Sequence, residues 1–400
     1  MLHRREGGYR ITVQLLQTAD GALVWGDTFD VESVKLLGIE ESVSVRVAEA
    51  LRAEFTERAR TRSRTPRNPA AYEPYLQARG LLDIASEVRM RAAIESFERA
   101  LQLDPDYAMA RAGLATALAW FSLRYAYEKD ALEWGRKAEE QAYHALKLDP
   151  DLAEAHVAIA SAAGTVYGHF NWDRVLAEAD LALEIEPTLD LAFGVRARAL
   201  YHLGLFDASH AAAREAIALN PAASEPKRIL NVSELFNGRF EEARQRAEEM
   251  MKESELVNLR TYLGTALFYL GERDQAATLL ATLKRGSQPD VRSQAVLAGV
   301  LANLGRADEA RVTIARIIEG RYMDHHVAYS LGAAFAQLGR PAEAVTWLGT
   351  AISEGFPCYP WFQRDLLLDP IRGDAGFQSL MRDLQQRFAT AQARYEARSQ

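Results

Sequence analysis

A mainly α fold, a right-handed α-α superhelical stack of about eight helical hairpins, is predicted by three features of the sequence. Glycines recur at 204, 238, 271, 305 and 339, so that the successive differences are 34, 33, 34 and 34. Each sits in a similar phrase, such as Leu203-Gly204-Leu205-Phe206-Asp207 or Leu304-Gly305-Arg306-Ala307-Asp308, where one helix stops on Gly and the next starts on an acidic or small residue. Earlier in the chain, Ala100-Leu101-Gln102-Leu103-Asp104-Pro105 is echoed at Ala145 to Pro150, Ala182 to Pro187 and Ala216 to Pro221, so proline closes helix after helix. A unit of this length is one helical hairpin that cannot bury its apolar face alone. Stacking supplies the core, and the expected activity is binding.

In order along the chain, residues 1–60 read as a partial α/β segment. Tyr9, Ile11, Val13 and Leu15 alternate with polar residues, Ala19-Asp20-Gly21 turns the chain, and Leu23-Val24-Trp25 returns as the second strand of a β-hairpin. Val43, Val47, Ala50, Leu51 and Phe55 then fall at helical spacing. Such a hairpin would offer unpaired strand edges, so self-association through it is expected as one possibility. Residues 61–70 form a basic linker, with Arg62, Arg64 and Arg67 beside Pro66 and Pro69. Residues 71–355 make the solenoid. The tag prolines are spaced 45, 37 and 34, which places insertions near 121–133 and 166–173. Both are aromatic-rich, with Tyr125, Tyr127, Trp134, Tyr167, Phe170 and Trp172, and packing between helices is the expected use, a partner pocket the alternative. Residues 356–400 carry Phe356, Tyr359, Trp361 and Phe362 and then an amphipathic helix, expected to cap the open end of the stack.

Composition excludes several classes. With 48% hydrophobic and 26% charged residues the chain is not of the disordered type. A net charge of −8 argues against a nucleic-acid surface, which needs clustered cations. No stretch approaches the roughly 18 consecutive apolar residues of a membrane span, and no secretory leader is visible. The one cysteine, Cys358, cannot form an intramolecular disulfide, which points to a reducing, cytoplasmic setting.

Motifs for catalysis are absent from the sequence: there is no phosphate loop, no H-E-x-x-H and no G-x-S-x-G. No enzyme activity, cofactor or metal is therefore expected. His202, Asp207 and His210 share one inter-helix turn, and His169 lies near Asp173, but neither group reaches the three or four ligands that a metal site requires. His325-His326, at the start of a helix, is expected to be polar surface or a neutral cap.

With small residues at the helix crossings (Ala93, Ala208, Ala243, Ala276, Ala310 and Ala344), the tags and glycines resemble the tetratricopeptide repeat family. The whole layout is similar to a narrower group, bacterial signalling proteins in which a TolB-like α/β domain precedes such an array. Arg10 to Leu16 and Asp20 to Asp30 resemble the last strands of that domain, Ala71 to Gly80 the entry to the array, and Asp365 to Phe377 its closing phrase. That resemblance implies an adenylate or guanylate cyclase, a winged-helix transcription regulator or a kinase as the output domain. None is present in this sequence, and the first part of the TolB-like domain lacks a counterpart, so a piece of a longer or split regulator is expected.

In such an array the first helix of each hairpin lines a concave groove. Phasing from the glycines places Arg198, His202, Arg228, Val232, Phe236, Tyr262, Thr265, Tyr269, Arg292, Asn303, His326, Tyr329 and Gln337 on or near that face. The mix of aromatics and cations suits a protein or extended-peptide partner. Packing against the next repeat is the alternative for Phe236 and Tyr269.

Overall fold

Helix ends set the architecture. Gly204, Gly238, Gly271, Gly305 and Gly339 all have φ between +70° and +93°, and in each the glycine N–H and the following N–H turn back onto the last helical carbonyls. This left-handed stop is cheap for glycine and strained for any residue with a Cβ. It reverses the chain within a short turn, and so each repeat becomes two antiparallel helices.

The computed structural model describes residues 2–5, 8–16, 23–32, 66–82, 87–126, 128–252, 257–285, 288–320 and 324–398. Strands β1 (Leu2–Arg5), β2 (Gly8–Leu16) and β3 (Leu23–Glu32) form an antiparallel sheet in the order β1-β2-β3. The expected hairpin is β2-β3, pairing Ile11 with Phe29 and Val13 with Asp27. The additional strand β1 pairs Leu2 with Ile11 and Arg5 with Gly8, and its short charged sequence carried no alternation to announce it. The helix expected around 43–60 and the first half of the linker lie outside the described residues. The linker's second half is tied down: the Arg67 N–H donates to Asp104, its guanidinium pairs with Asp106 at 2.7 Å, and Asn68 caps a 3-10 turn at Pro69–Ala71.

Eight hairpins follow among the described residues. They are α1 (Tyr72–Leu82) with α2 (Glu87–Leu103), α3 (Ala108–Arg124) with α4 (Glu128–Leu148), α5 (Ala153–Ala163) with α6 (Trp172–Ile185), and α7 (Asp190–His202) with α8 (Phe206–Leu219). The second four are α9 (Ser224–Phe236) with α10 (Phe240–Met251), α11 (Val257–Tyr269) with α12 (Arg273–Thr282), α13 (Val291–Asn303) with α14 (Ala307–Glu319), and α15 (His325–Gln337) with α16 (Pro341–Ser353). A two-residue ribbon, β4 (Lys284–Arg285) with β5 (Gln288–Pro289), links α12 to α13. Alanine lets the helices cross closely: Ala93, Ala243, Ala276, Ala310 and Ala344 are all buried. In the fourth hairpin the crossing residue is not Ala208, which is half-buried, but Ser209, fully buried with its hydroxyl donating to the Ala197 carbonyl at 2.9 Å. Ser209 stands five positions after its glycine, as Ala243, Ala276, Ala310 and Ala344 do.

The first insertion lengthens α3 and α4, and Trp134 packs on Phe121 with ring centres 4.6 Å apart. The second makes a loop in which His169 and Phe170 adopt φ of 52° and 47°. This loop reaches the far end of the array. Trp172 Nε1 donates to the Gly355 carbonyl at 2.9 Å, and Phe170 lies against Gly355 and edge-on to His325 at 4.8 Å. Hairpin three thus touches hairpin eight and the turn after it, and His202 of hairpin four meets His325 of hairpin eight, closing the superhelix into a ring.

The tail does more than cap. After Gly355, α17 (Tyr359–Arg364) and a 3-10 segment (Leu366–Ile371) run along the inside of the ring. Pro360 sits on Gly204, the Arg364 guanidinium donates to the Phe236 carbonyl, Leu367 lies on Gly299, and the Gln337 amide donates to the Leu367 carbonyl at 2.7 Å. Helix α18 (Ala375–Arg398) then packs on α16 through its first turns. Farther along it crosses to the third hairpin, where Arg394 pairs with Asp173, and Tyr395 lies under the Arg196 guanidinium of the fourth.

Candidate functional site

The residues picked out by phase recur in rows that repeat with the period of the glycines. Two positions before each glycine stand His202, Phe236, Tyr269, Asn303 and Gln337. Side chains of successive repeats bond to one another: Arg228 donates to the Tyr262 hydroxyl at 2.9 Å, and the Asn303 amide to Gln337 at 3.0 Å.

Seven of the thirteen candidates, Phe236, Tyr262, Thr265, Tyr269, Arg292, His326 and Tyr329, surround one cavity of about 90 Å³, closed on its inner side by Phe356, Trp361 and Asp365 of the chain's own tail. Trp361 inserts between Phe236 and Tyr269, with ring centres 5.1 and 5.2 Å away. The Asp365 carboxylate accepts hydrogen bonds from both Tyr269 and Tyr329 and from the Leu367 N–H. Burial pushes the Asp365 carboxyl up, against those three donors. It pushes the two tyrosine hydroxyls well up as well, reinforced by the carboxylate they face. Arg292 is held by Asp324 through a 2.6 Å ion pair, and the Thr265 hydroxyl donates to its own helix at Thr261.

At the other end of the groove, Glu225 gathers cations. Arg228 grips it with two hydrogen bonds of 2.7 and 2.8 Å, and Arg124 of the second hairpin pairs with it from across the ring. Burial opposes ionisation of Glu225, but Arg124 and Arg228 outweigh it and hold the carboxyl well below the usual carboxylate range. Arg198 borders a second cavity of about 100 Å³ with Arg79, Trp120, Asn220 and Glu225. It is 4% exposed, and its Nε and Nη2 find no acceptor among the described residues. Burial pushes Arg198 down to about 10, only partly offset by Glu225.

His202 and His325 depart furthest from expectation. His325, read as surface or cap, is buried and lies across the ring from His202, with Nε2 atoms 3.2 Å apart. The partners considered for His202 in sequence, Asp207 and His210, do not join it in a ligand cluster, whereas His325 and His326 do. Cys358 is buried, and burial pushes its thiol up to about 12, so it is a packed side chain with no thiolate character near neutral pH.

Sequence reasoning missed Glu225, Arg124, Trp361 and Asp365. Glu225 was legible, since it stands as far before its glycine as Arg292 and His326 do before theirs. The other three were not, because they enter the groove from a different repeat or from the tail.

A tetratricopeptide repeat model matches residues 89–107, the second helix of the first hairpin and its following turn. Among solved structures the chain is similar to the Cut9–Hcn1 hetero-tetramer of the APC/C, at 14% identity over 77% of this chain and 55% of that one, with a TM-score of 0.50. It is also similar to a human IFIT1 dimer with m7Gppp-AAAA (13%, 77% and 75% covered, TM-score 0.48) and to TTC0263, a thermophilic TPR protein of Thermus thermophilus (21%, 50% and 100%, 0.40). A search of curated proteins finds no match. The fold is a closed helical-repeat solenoid whose inner face carries the polar and aromatic side chains. It is similar in fold to tetratricopeptide-repeat solenoids, and hairpins stopped by Gly204, Gly238, Gly271, Gly305 and Gly339 form its later repeats. Among the described residues no helix is long and apolar enough to cross a membrane.

Proposed function

We propose that this protein is a non-catalytic, cytoplasmic scaffold whose array takes a short segment of a partner protein on its inner face, at Tyr262, Thr265, Tyr269, Arg292, His326 and Tyr329. The observation that carries this reading is the chain's own tail, which already lies there as a peptide would: Trp361 fills an aromatic slot and Asp365 is received by two tyrosine hydroxyls. The same chemistry suits a partner segment bearing an aromatic residue followed by a carboxylate, bound beside the tail or in its place. Arg198, His202, Arg228, Asn303 and Gln337 extend the strip on either side.

A display selection of random peptides on the full-length chain tests the proposal. Enriched peptides should carry an aromatic and an acidic residue, and Arg292→Ala and Tyr262→Ala should weaken their capture at least tenfold. Enriched peptides indifferent to both substitutions would place binding elsewhere.

A second reading is favoured by the amino-terminal sheet. Its phrases resemble the end of a TolB-like domain, which supports a role as the regulatory module of a bacterial cyclase or transcription regulator whose output lies outside this sequence. The edges of β1 and β3 also suit strand pairing between two copies. Light scattering on the intact chain and on one with prolines placed in β3 tests that pairing, since an unchanged mass would remove it.

A further inference from the structure

His202 ends α7 and His325-His326 begins α15, far along the chain, yet their ring nitrogens gather so that one ligand atom from each lies within 4.8 Å of the others. The His202 Nδ1 is 2.8 Å from the Arg198 carbonyl, a group that can only accept, so Nδ1 carries the proton and the Nε2 lone pair is free. That lone pair points at the Nε2 of His325. If His325 answered with an N–H, its other nitrogen, Nδ1, would keep a lone pair in a buried position where it has no hydrogen-bond partner. If instead Nδ1 carries the proton, two lone pairs face each other at 3.2 Å. A cation between them resolves both cases. Two nitrogens held tetrahedrally at about 2.0–2.1 Å from Zn²⁺ lie about 3.3 Å apart, close to the observed spacing.

The surroundings fit a metal site as well. Trp172 stacks on His202 with ring centres 4.3 Å apart, Phe170 meets His325 edge-on, and Phe356 closes on His326 at 4.9 Å. This apolar shell fixes ring orientation, and the Arg198 carbonyl is the outer partner that metal-bound imidazole usually has. Charge is mixed: Asp324 adjoins His325 and is paired with Arg292, Arg198 lies on the cationic side, and the Glu354 backbone faces the His325 ring. His326 borders the groove cavity, which leaves a coordination position open on that side.

We infer that His202, His325 and His326 form a site for a divalent transition metal ion of the Zn²⁺ type, which staples the fourth hairpin to the eighth and presents one open position to the groove. Nitrogen-only ligation suits Zn²⁺, Ni²⁺ or Cu²⁺ over Mg²⁺ or Ca²⁺.

The test is titration of the untagged, chelator-stripped full chain with Zn²⁺ alone, followed by calorimetry, and with Co²⁺, followed by visible absorption. One ion per chain should bind, the Co²⁺ spectrum should be that of a low-coordinate nitrogen site, and the melting temperature should rise with Zn²⁺. His326→Asn, at a half-buried position, and His202→Asn should each weaken Zn²⁺ about tenfold or more, while His144→Asn, exposed on another hairpin, should leave it unchanged. Far-ultraviolet circular dichroism checks that each variant is folded. Absence of stoichiometric binding by the folded chain, or affinity that survives both His202→Asn and His326→Asn, would overturn the site.

Discussion

Among the described residues Arg124 and Arg228 both pair with Glu225, with Arg198 beside them. Removing one member of a buried charge group costs more than the group contributes, because its partners stay buried without a counter-charge. Glu225→Gln should therefore destabilise the chain by about 3–5 kcal/mol at pH 7, measured as a shift in urea midpoint. The sign of the pH dependence follows from the lowered carboxyl of Glu225. Its stabilisation is fully present above the unfolded value of about 4.3 and is lost as pH falls below it toward the folded value. The gap between wild type and Glu225→Gln should thus narrow below about pH 4; a gap constant down to about pH 2 would show that Glu225 is not the responsible group. Asp365 behaves in the opposite sense, since burial raises its carboxyl. Asp365→Asn keeps an acceptor for a tyrosine hydroxyl and sheds a buried charge, so it should be close to neutral. Asp365→Ala strands the Tyr269 and Tyr329 hydroxyls and should cost about 2 kcal/mol or more beyond the Asn variant.

Two glycines separate the chemistry of a helix stop from that of a contact. Gly305, at φ +77°, has open space where a Cβ would stand, so Gly305→Ala should cost only the left-handed strain, about 1–2 kcal/mol. Gly355, at φ +102°, has the Phe170 ring where its Cβ would go, so Gly355→Ala adds a clash at the ring closure and should cost clearly more. Equal thermal shifts for the two variants would mean that the Phe170 contact carries no stability. The helix stops were legible because a left-handed residue admits glycine almost alone. The crossing at Ser209 was legible too, since it stands five residues after Gly204, as the later crossings stand after theirs.

An open repeat array is stabilised by each unit and its neighbours, so it unfolds by parts. This array adds long-range ties: Trp172 to Gly355, His202 to His325, Arg124 to Glu225, and the tail threaded through the ring. Trp361→Ala removes the side chain that joins the tail to Phe236 and Tyr269. It should cost about 3–5 kcal/mol, in the range for large aromatic truncations. The unfolding transition should broaden, and small-angle scattering should record a larger radius of gyration as the ring loosens. An unchanged radius with a sharp transition would show that neighbour contacts alone hold the curvature. The amino acid sequence by itself determined the hairpin, its period and its glycine stops, because these depend on contacts within one or two repeats. Only the tertiary structure decided that the ring closes, that His325 meets His202, and that the tail lies in the groove. Those outcomes depend on small rotations between successive hairpins, accumulated along the array, and no local pattern of residues records their sum.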